Sequence, residues 1–266
     1  MILQQLLSTI ILGIIQGFTE WLPISSSGHL TVIAYFFSLM TTPLFDIILH
    51  VGTLFVVVFF FRSEVGNIFS ALVHFNFRTE YGKLVPLLIV ATIPTAIIGL
   101  TYVQFFEDVL QGILPVGITF IIGATIVYMS KHGEENTNDI TYLAAIIIGI
   151  AQGFSAFPGL SRSGVTISTA LLLGLKREKA FKFSFLLSIP AIIGDLLVEA
   201  YKQHGQIATS GLGWPELLVG VTVAIIVGYF ALKFLSDIVL TRKFYYFAFY
   251  TWLLGVTLII LALSGF

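Results

Sequence analysis

One stretch of the chain occurs twice. "IIQGFTEWLPISSSGHLTVIA" begins at residue 14 and "IAQGFSAFPGLSRSGVTISTA" at residue 150. At a constant offset of 136 (152 − 16), Gln16, Gly17 and Phe18 fall on Gln152, Gly153 and Phe154, and Ser25, Ser27 and Gly28 fall on Ser161, Ser163 and Gly164. A weaker echo follows, "FDIILHVG" from 45 against "FSFLLSIP" from 183. The two halves are therefore expected to share a fold.

What lies between the copies limits that fold further. Apolar runs separated by short polar breaks give ten segments, at about 2–19, 27–40, 44–61, 84–103, 113–130, 140–156, 164–175, 181–201, 216–236 and 244–264. With 57% hydrophobic and 10% charged residues, against about 25% charged in soluble domains, the chain reads as an integral membrane protein. The start, "MILQQLLSTI", lacks the basic region of a secretory signal and is read as part of the mature fold. The domain reading is one membrane domain, 1–266, with repeat 1 at about 1–130, repeat 2 at about 140–266, and a polar linker, 131–139. The absence of cysteine excludes disulfides and thiolate chemistry, and the net charge of −1 gives no electrostatic case for nucleic acid.

Five segments per half is an odd number, so the second copy enters the membrane from the opposite side, giving an inverted repeat. If all ten segments crossed, the two motif loops would emerge on opposite faces, about 30 Å apart. They share a site only if each belongs to a re-entrant helical hairpin whose tip reaches the midplane. The expected fold is thus all-α and polytopic, each half a re-entrant hairpin plus three spanning helices. Arg62, Arg78, Lys83, Lys131, Lys176, Arg177, Lys179, Lys182, Lys233, Arg242 and Lys243 then lie at one face and Lys202 at the other. By the positive-inside rule the first face is cytoplasmic.

The thirteenth basic residue, Arg162, lies inside the second motif, and Glu20 inside the first. A charge at the centre of a bilayer costs about 2.5–3.5 kcal/mol on insertion scales, so each requires a partner or a task. A structural ion pair between them is one reading. The surrounding donors, Ser25, Ser26, Ser27 and His29 on one tip and Ser161, Arg162, Ser163, Gly164 and Thr166 on the other, exceed what an ion pair needs. Serine-rich turns leading into helix amino termini cradle anions, and an arginine fork binds phosphate bidentately. Ser26 and His29 stand three apart, a spacing at which imidazole can activate a hydroxyl. Ordinary helix capping is the bland alternative for that pair. Gln16 and Glu20, four apart, could hold a divalent cation, Mg2+ or Ca2+. Ala156 and Val165 stand where the first copy has Glu20 and His29. One copy keeps the reactive groups and the other the anion clamp, which favours an enzyme over a lipid-phosphate flippase or anion carrier on the same plan. His50, Asp46, Asp195 and Glu199 carry less weight, and "FYYFAFYTW" from 244 reads as an aromatic interface belt.

"QGFTEWLPISSSGH" with "PGLSRSGVTIS", in this order and separation, resembles the undecaprenyl pyrophosphate phosphatase family, also called the bacitracin-resistance family, over essentially the whole chain. The resemblance implies dephosphorylation of undecaprenyl diphosphate to the monophosphate carrier of cell-wall synthesis. It also implies a divalent cation and a cytoplasmic-membrane location with the site opening to the extracytoplasmic side. Glu20, Ser26, His29 and Arg162 become its central residues. The family pattern admits Gln or Glu at position 16. Membrane lipids and the polyprenyl diphosphate are the expected partners, nucleic acid is not, and a homo-oligomer is left open.

Overall fold

The structure is a computed structural model and describes residues 2–37, 43–110, 112–202 and 213–265. Over these residues it is helical: α1 (Ile2–Trp21), α2 (Ser26–Phe37), α3 (Pro43–Phe60), α4 (Arg62–Val73), α5 (Leu84–Phe105), α6 (Ile113–Met129), α7 (Tyr142–Phe154), α8 (Arg162–Leu172), α9 (Arg177–Lys202), α10 (Trp214–Leu240) and α11 (Phe247–Leu263). The end of the second expected segment, 38–40, lies outside the described residues. Ten expected segments became helices; α4 is an addition. It follows α3 across a bend of 85°, where the hydropathy pattern had placed only a loop.

Among the described residues, five helices are long and apolar enough to cross a membrane, at 84–105, 113–132, 177–202, 214–240 and 244–263, or six if the bent pair α3 and α4 is counted as one span. Polarity is distributed as lipid requires. On α5 the outward stripe is Ile89, Ile93, Ile97 and Leu100, while Gln16, Thr53, Thr95, Thr119, Gln152 and Thr251 are buried. Buried polar groups in lipid need internal partners. The threonine hydroxyls donate to carbonyls one helical turn back, and Thr95 Oγ1 also reaches Gly149 O of α7 at 2.8 Å. Pro94 and Pro190 lie inside α5 and α9 without ending either helix.

With little hydrophobic drive between helices in lipid, close approach depends on small residues. Gly13 and Gly17 of α1 lie against Gly220 and Ala224 of α10, and Gly149 and Gly153 of α7 lie against Ala91 and Ile98 of α5. These glycines stand at the same 136-residue offset as the motifs (149 − 13), immediately upstream of the matched stretch. A Cβ on Gly149 would stand 2.1 Å from Ala91 O, closer than atoms can approach, whereas one on Gly99 meets nothing within 4 Å. Gly149→Ala is expected to destabilise the fold by about 1–3 kcal/mol, since the helices must part. Gly99→Ala should be neutral or stabilising by about 0.5–1 kcal/mol. Thermal unfolding of both variants in detergent checks this; equal stability would mean that α5 and α7 are not held by the contact.

The charged residues gather at the helix ends. Glu64 pairs with Lys182 at 3.5 Å, Glu80 with Lys179 at 2.7 Å, and Glu135 with both Arg177 at 2.8 Å and Arg242 at 2.9 Å. Lys202 pairs with Glu107, after α5.

Candidate active site

The sequence of each motif dictates a similar local structure. Pro23 and Pro158 with Gly159 break the chain between α1 and α2 and between α7 and α8, and a serine restarts the helix. Ser25 Oγ accepts from Gly28 N–H at 3.3 Å, and Ser161 Oγ accepts from Gly164 N–H at 3.1 Å, each capping its helix. Each cap serine also hydrogen-bonds the serine two residues on, Ser27 at 3.3 Å and Ser163 at 3.2 Å.

The same serines join the two tips. Ser25 Oγ accepts from Gly159 N–H at 3.1 Å, and Ser161 Oγ donates to Leu22 O at 3.2 Å. Gly159 has φ of 98°, the left-handed region open to glycine, and a Cβ there would collide with Thr119 Oγ1 at 2.1 Å. The hydroxyl of that threonine donates to Pro158 O. The joined tips lie against the central turns of the long helices. Gly28 touches Phe120 of α6, the Trp21 ring lies tilted against Phe185 of α9 at 5.6 Å, and the Trp21 indole nitrogen lies beside Gly228 of α10.

Four of the expected residues meet at this junction. Ser26 Oγ donates to Glu20 Oε2 at 2.7 Å, and Gln16 Nε2 donates to the same oxygen at 3.1 Å. Arg162 Nη1 stands 4.0 Å from Glu20 Oε1. Its Nη2 donates to Asp195 Oδ2 at 2.6 Å, which fixes one edge of the guanidinium and leaves Nη1, buried and without a hydrogen-bond partner, facing the carboxylate. A narrow pocket opens between them, lined by Glu20, Trp21, Arg162, Ser163, Ser184, Phe185 and Ser188. The Glu20 side chain is 6% exposed, so its charge is felt at short range with little screening.

The other expected residues have different surroundings. Ser26 does not hydrogen-bond His29. As the first residue of α2, Ser26 projects back toward the preceding turn, where Glu20 lies, whereas His29 is one turn further on and meets α11. His29 Nδ1 is 2.7 Å from Ser25 O, and that contact makes Nδ1 the protonated nitrogen; Nε2, 2.7 Å from Tyr250 OH, then accepts from the phenol. The two rings stack at 5.7 Å between centroids. Tyr250 is therefore more than part of an aromatic belt. The hydroxyls of Ser25, Ser161 and Ser163 are buried and engaged in caps and cross-links, and Ser27 is exposed. Thr166 Oγ1 donates to Arg162 O at 2.7 Å and hydrogen-bonds Ser184, holding the start of α8 against α9. The Gly164 N–H is taken by its cap.

Asp195, Ser184, Ser188 and Tyr250 were missed or given low weight. For the first three a signal existed: Ser184, Ser188, Asp195 and Glu199 recur at helical spacing along one face of α9, a polar stripe in an apolar helix.

Among the described residues no three His, Asp or Glu side chains come together as a metal cage. Gln16 Oε1 is nevertheless buried without a partner next to the Glu20 carboxylate. Half a turn of the amide exchanges Oε1 with Nε2, which is 3.1 Å from Glu20 Oε2, a separation suited to two oxygens of one coordination sphere. This all-oxygen pair fits a hard cation that takes its remaining ligands from water and phosphate.

Fold and site together define a polytopic membrane protein with a carboxylate, a hydroxyl and an arginine fork converging where two broken helices meet, an arrangement suited to a phosphorylated group. Comparison with known proteins is more specific. The family described as bacitracin resistance protein BacA matches residues 9–257, and the chain belongs to that family. It is 42% identical over 263 residues to the undecaprenyl-diphosphatase of Carboxydothermus hydrogenoformans, covering 96% of this chain and 97% of the relative. It is 42% identical to that of Treponema denticola, covering 94% of each, and 39% identical to undecaprenyl-diphosphatase 3 of Bacillus cereus, covering 96% of each. The flippase or carrier alternative has no support among these relatives.

Proposed function

We propose that the chain is an undecaprenyl-diphosphatase, hydrolysing the lipid diphosphate to its monophosphate and inorganic phosphate. The observation that carries the reading is the 2.7 Å hydrogen bond from Ser26 Oγ to Glu20, beside the unpartnered edge of Arg162. Family membership supplies the substrate.

The chemistry follows from those atoms. Ser26 Oγ attacks the terminal phosphorus while Glu20 takes its proton. The bond from phosphorus to the bridging oxygen breaks, and its electron pair leaves with the prenyl monophosphate, which takes the proton from Glu20 and so restores the carboxylate. Arg162 Nη1 receives the charge that develops on the phosphoryl oxygens, with Asp195 preventing the guanidinium from turning away. Water, deprotonated by the restored Glu20 carboxylate, then attacks the seryl phosphate; the electron pair of the phosphorus–Oγ bond returns to Ser26, which takes that proton, and inorganic phosphate is released. A divalent cation, when bound by Glu20 and Gln16, neutralises phosphate oxygens. His29, on Tyr250, holds a neutral imidazole at the flank of the site.

The membrane arrangement in this reading is two re-entrant hairpins and six spans in an inverted repeat. Support comes from length and contact. α7 and α8 have 13 and 11 residues, about 20 and 16 Å, against a core of about 30 Å. α1, with 20 residues, is as long as a span. Both tips abut the central turns of α6 and α9, and α1 against α10 mirrors α7 against α5. The end carrying Glu64, Lys179, Lys182 and Arg242 is cytoplasmic in this reading. Asp195, 59% exposed in its side chain, lies on α9 between Arg162 and Lys202, so the site opens toward the extracytoplasmic face of the cytoplasmic membrane.

The test is phosphate release from a defined prenyl diphosphate by purified protein in detergent with Mg2+ or Ca2+. Turnover that is abolished by chelation and restored by either ion is expected. Absence of release from folded protein would overturn the assignment, and turnover indifferent to chelation would remove the cation from it.

A further inference from the structure

The segment from Arg62 to Lys83 takes no part in the site, yet it is unusual for an end-of-span connection. α4 leaves α3 at 85° and therefore runs across the direction of the spanning helices. Its sides are of three kinds. Ala71 is buried, Val65 and Ile68 pack on the core, and Glu64 pairs with Lys182. Ser63, Asn67, Ser70 and His74 recur at helical spacing as an exposed polar stripe. Phe69, Leu72 and Val73 form a separate exposed apolar stripe, 66%, 44% and 55% accessible.

The helix end extends that apolar stripe. Phe75 N–H donates to Leu72 O at 3.2 Å and Asn76 N–H to Ala71 O at 2.9 Å, a Schellman close with Phe75 in the position that glycine ordinarily fills. Phe75 has φ of 50° and is 79% exposed, its ring edge-on to Phe77 at 6.3 Å. A bulky aromatic residue is strained in this conformation, so the ring is kept against backbone preference, and in water it would contribute nothing. Charge adds a second requirement. The two acids of the segment, Glu64 and Glu80, are each taken up by a lysine of α9, which leaves Arg62, Arg78 and Lys83 as surplus positive charge around the apolar stripe.

We infer that α4 with the Phe75–Phe77 corner is an interfacial anchor that lies in the membrane plane, inserts Phe69, Leu72, Val73 and Phe75 below the headgroups, and sets its basic residues against anionic phospholipid. The polar stripe faces water. The geometry distinguishes this from a water-exposed loop, because the two stripes must report different environments.

The chain has no cysteine, so each introduced thiol is unique. Phe69→Cys, Leu72→Cys, Ser63→Cys and Ser70→Cys are labelled with an environment-sensitive fluorophore and the full-length protein is reconstituted into phosphatidylglycerol or phosphatidylcholine vesicles. Labels at 69 and 72 should be quenched several-fold more by lipid-borne nitroxide than labels at 63 and 70, which aqueous iodide should quench instead. The lipid contact should be weaker in phosphatidylcholine. Phe75→Gly, which relieves the strained backbone, should keep the thermal midpoint while moving the label at 72 toward water. Equal iodide quenching on both stripes would overturn the anchor, and equal insertion in both lipids would overturn the anionic preference.

Discussion

Glu20→Gln is expected to lower turnover by about 10³-fold or more while leaving the protein folded, since general-base and charge terms of this kind contribute about 10²–10⁴ each. The reason is geometric. Glu20 Oε2 accepts from both Ser26 Oγ and Gln16 Nε2, and Oε1 faces Arg162 at 4.0 Å, so one carboxylate meets the hydroxyl, the Gln16 amide and the guanidinium. The amide is isosteric but neutral and cannot take the proton. Ser26→Ala belongs to the same measurement. If Ser26 is the nucleophile, its loss acts on the transition state and appears in kcat, not in KM alone. If Ser26 and Glu20 act as one unit, as their hydrogen bond implies, the double variant should be little worse than either single one. Near-normal kcat in folded Ser26→Ala protein would transfer the attack to a water activated by Glu20. His29→Ala should cost less than either, because the imidazole is held by Tyr250 and Ser25 and not by Ser26. A larger loss for His29→Ala than for Glu20→Gln would reverse the assignment of the base.

Arg162→Lys should lower kcat by about 10²–10³-fold although the charge is kept, the range seen when a single oxyanion donor is removed. The fork is used at both edges: Nη2 on Asp195 at 2.6 Å and Nη1 into the pocket beside Glu20. A lysine has one ammonium and a flexible stem. It can pair with Asp195, which is exposed, or with Glu20, but it cannot hold the Arg162 geometry toward both. Binding of a nonhydrolysable prenyl diphosphate should weaken less than kcat falls. Retained turnover in Arg162→Lys would return the residue to the structural role of joining two helices through charge.

Much of the site was legible because the sequence repeats. Ser25 and Ser161, aligned at one offset, cap α2 and α8 and reach across to the opposite tip, so the shared positions proved to hold the junction together. The unshared positions, Glu20 against Ala156 and Ser26 against Arg162, are the ones whose reactive groups face one another. An expensive charge within an apolar chain marked Glu20 and Arg162 without any structure. Local spacing was a poorer guide. A spacing of three placed Ser26 and His29 one turn apart, but the first turn of a helix points its side chains backward and the next meets whatever packs beside it.

The sequence by itself therefore determined the class of protein, ten of the eleven helices named above, and the residues too costly to sit in a bilayer without a task. Hydropathy and periodicity are properties of consecutive residues, and they register such facts directly. Only the tertiary structure decided the partners. It set Tyr250 on His29 across 221 residues and Asp195 on Arg162 across 33, and it bent α3 into α4 at a point where hydropathy showed no more than a break. Those contacts arise from which helix surfaces close on one another, and the choice belongs to glycines and small side chains distributed over the whole chain.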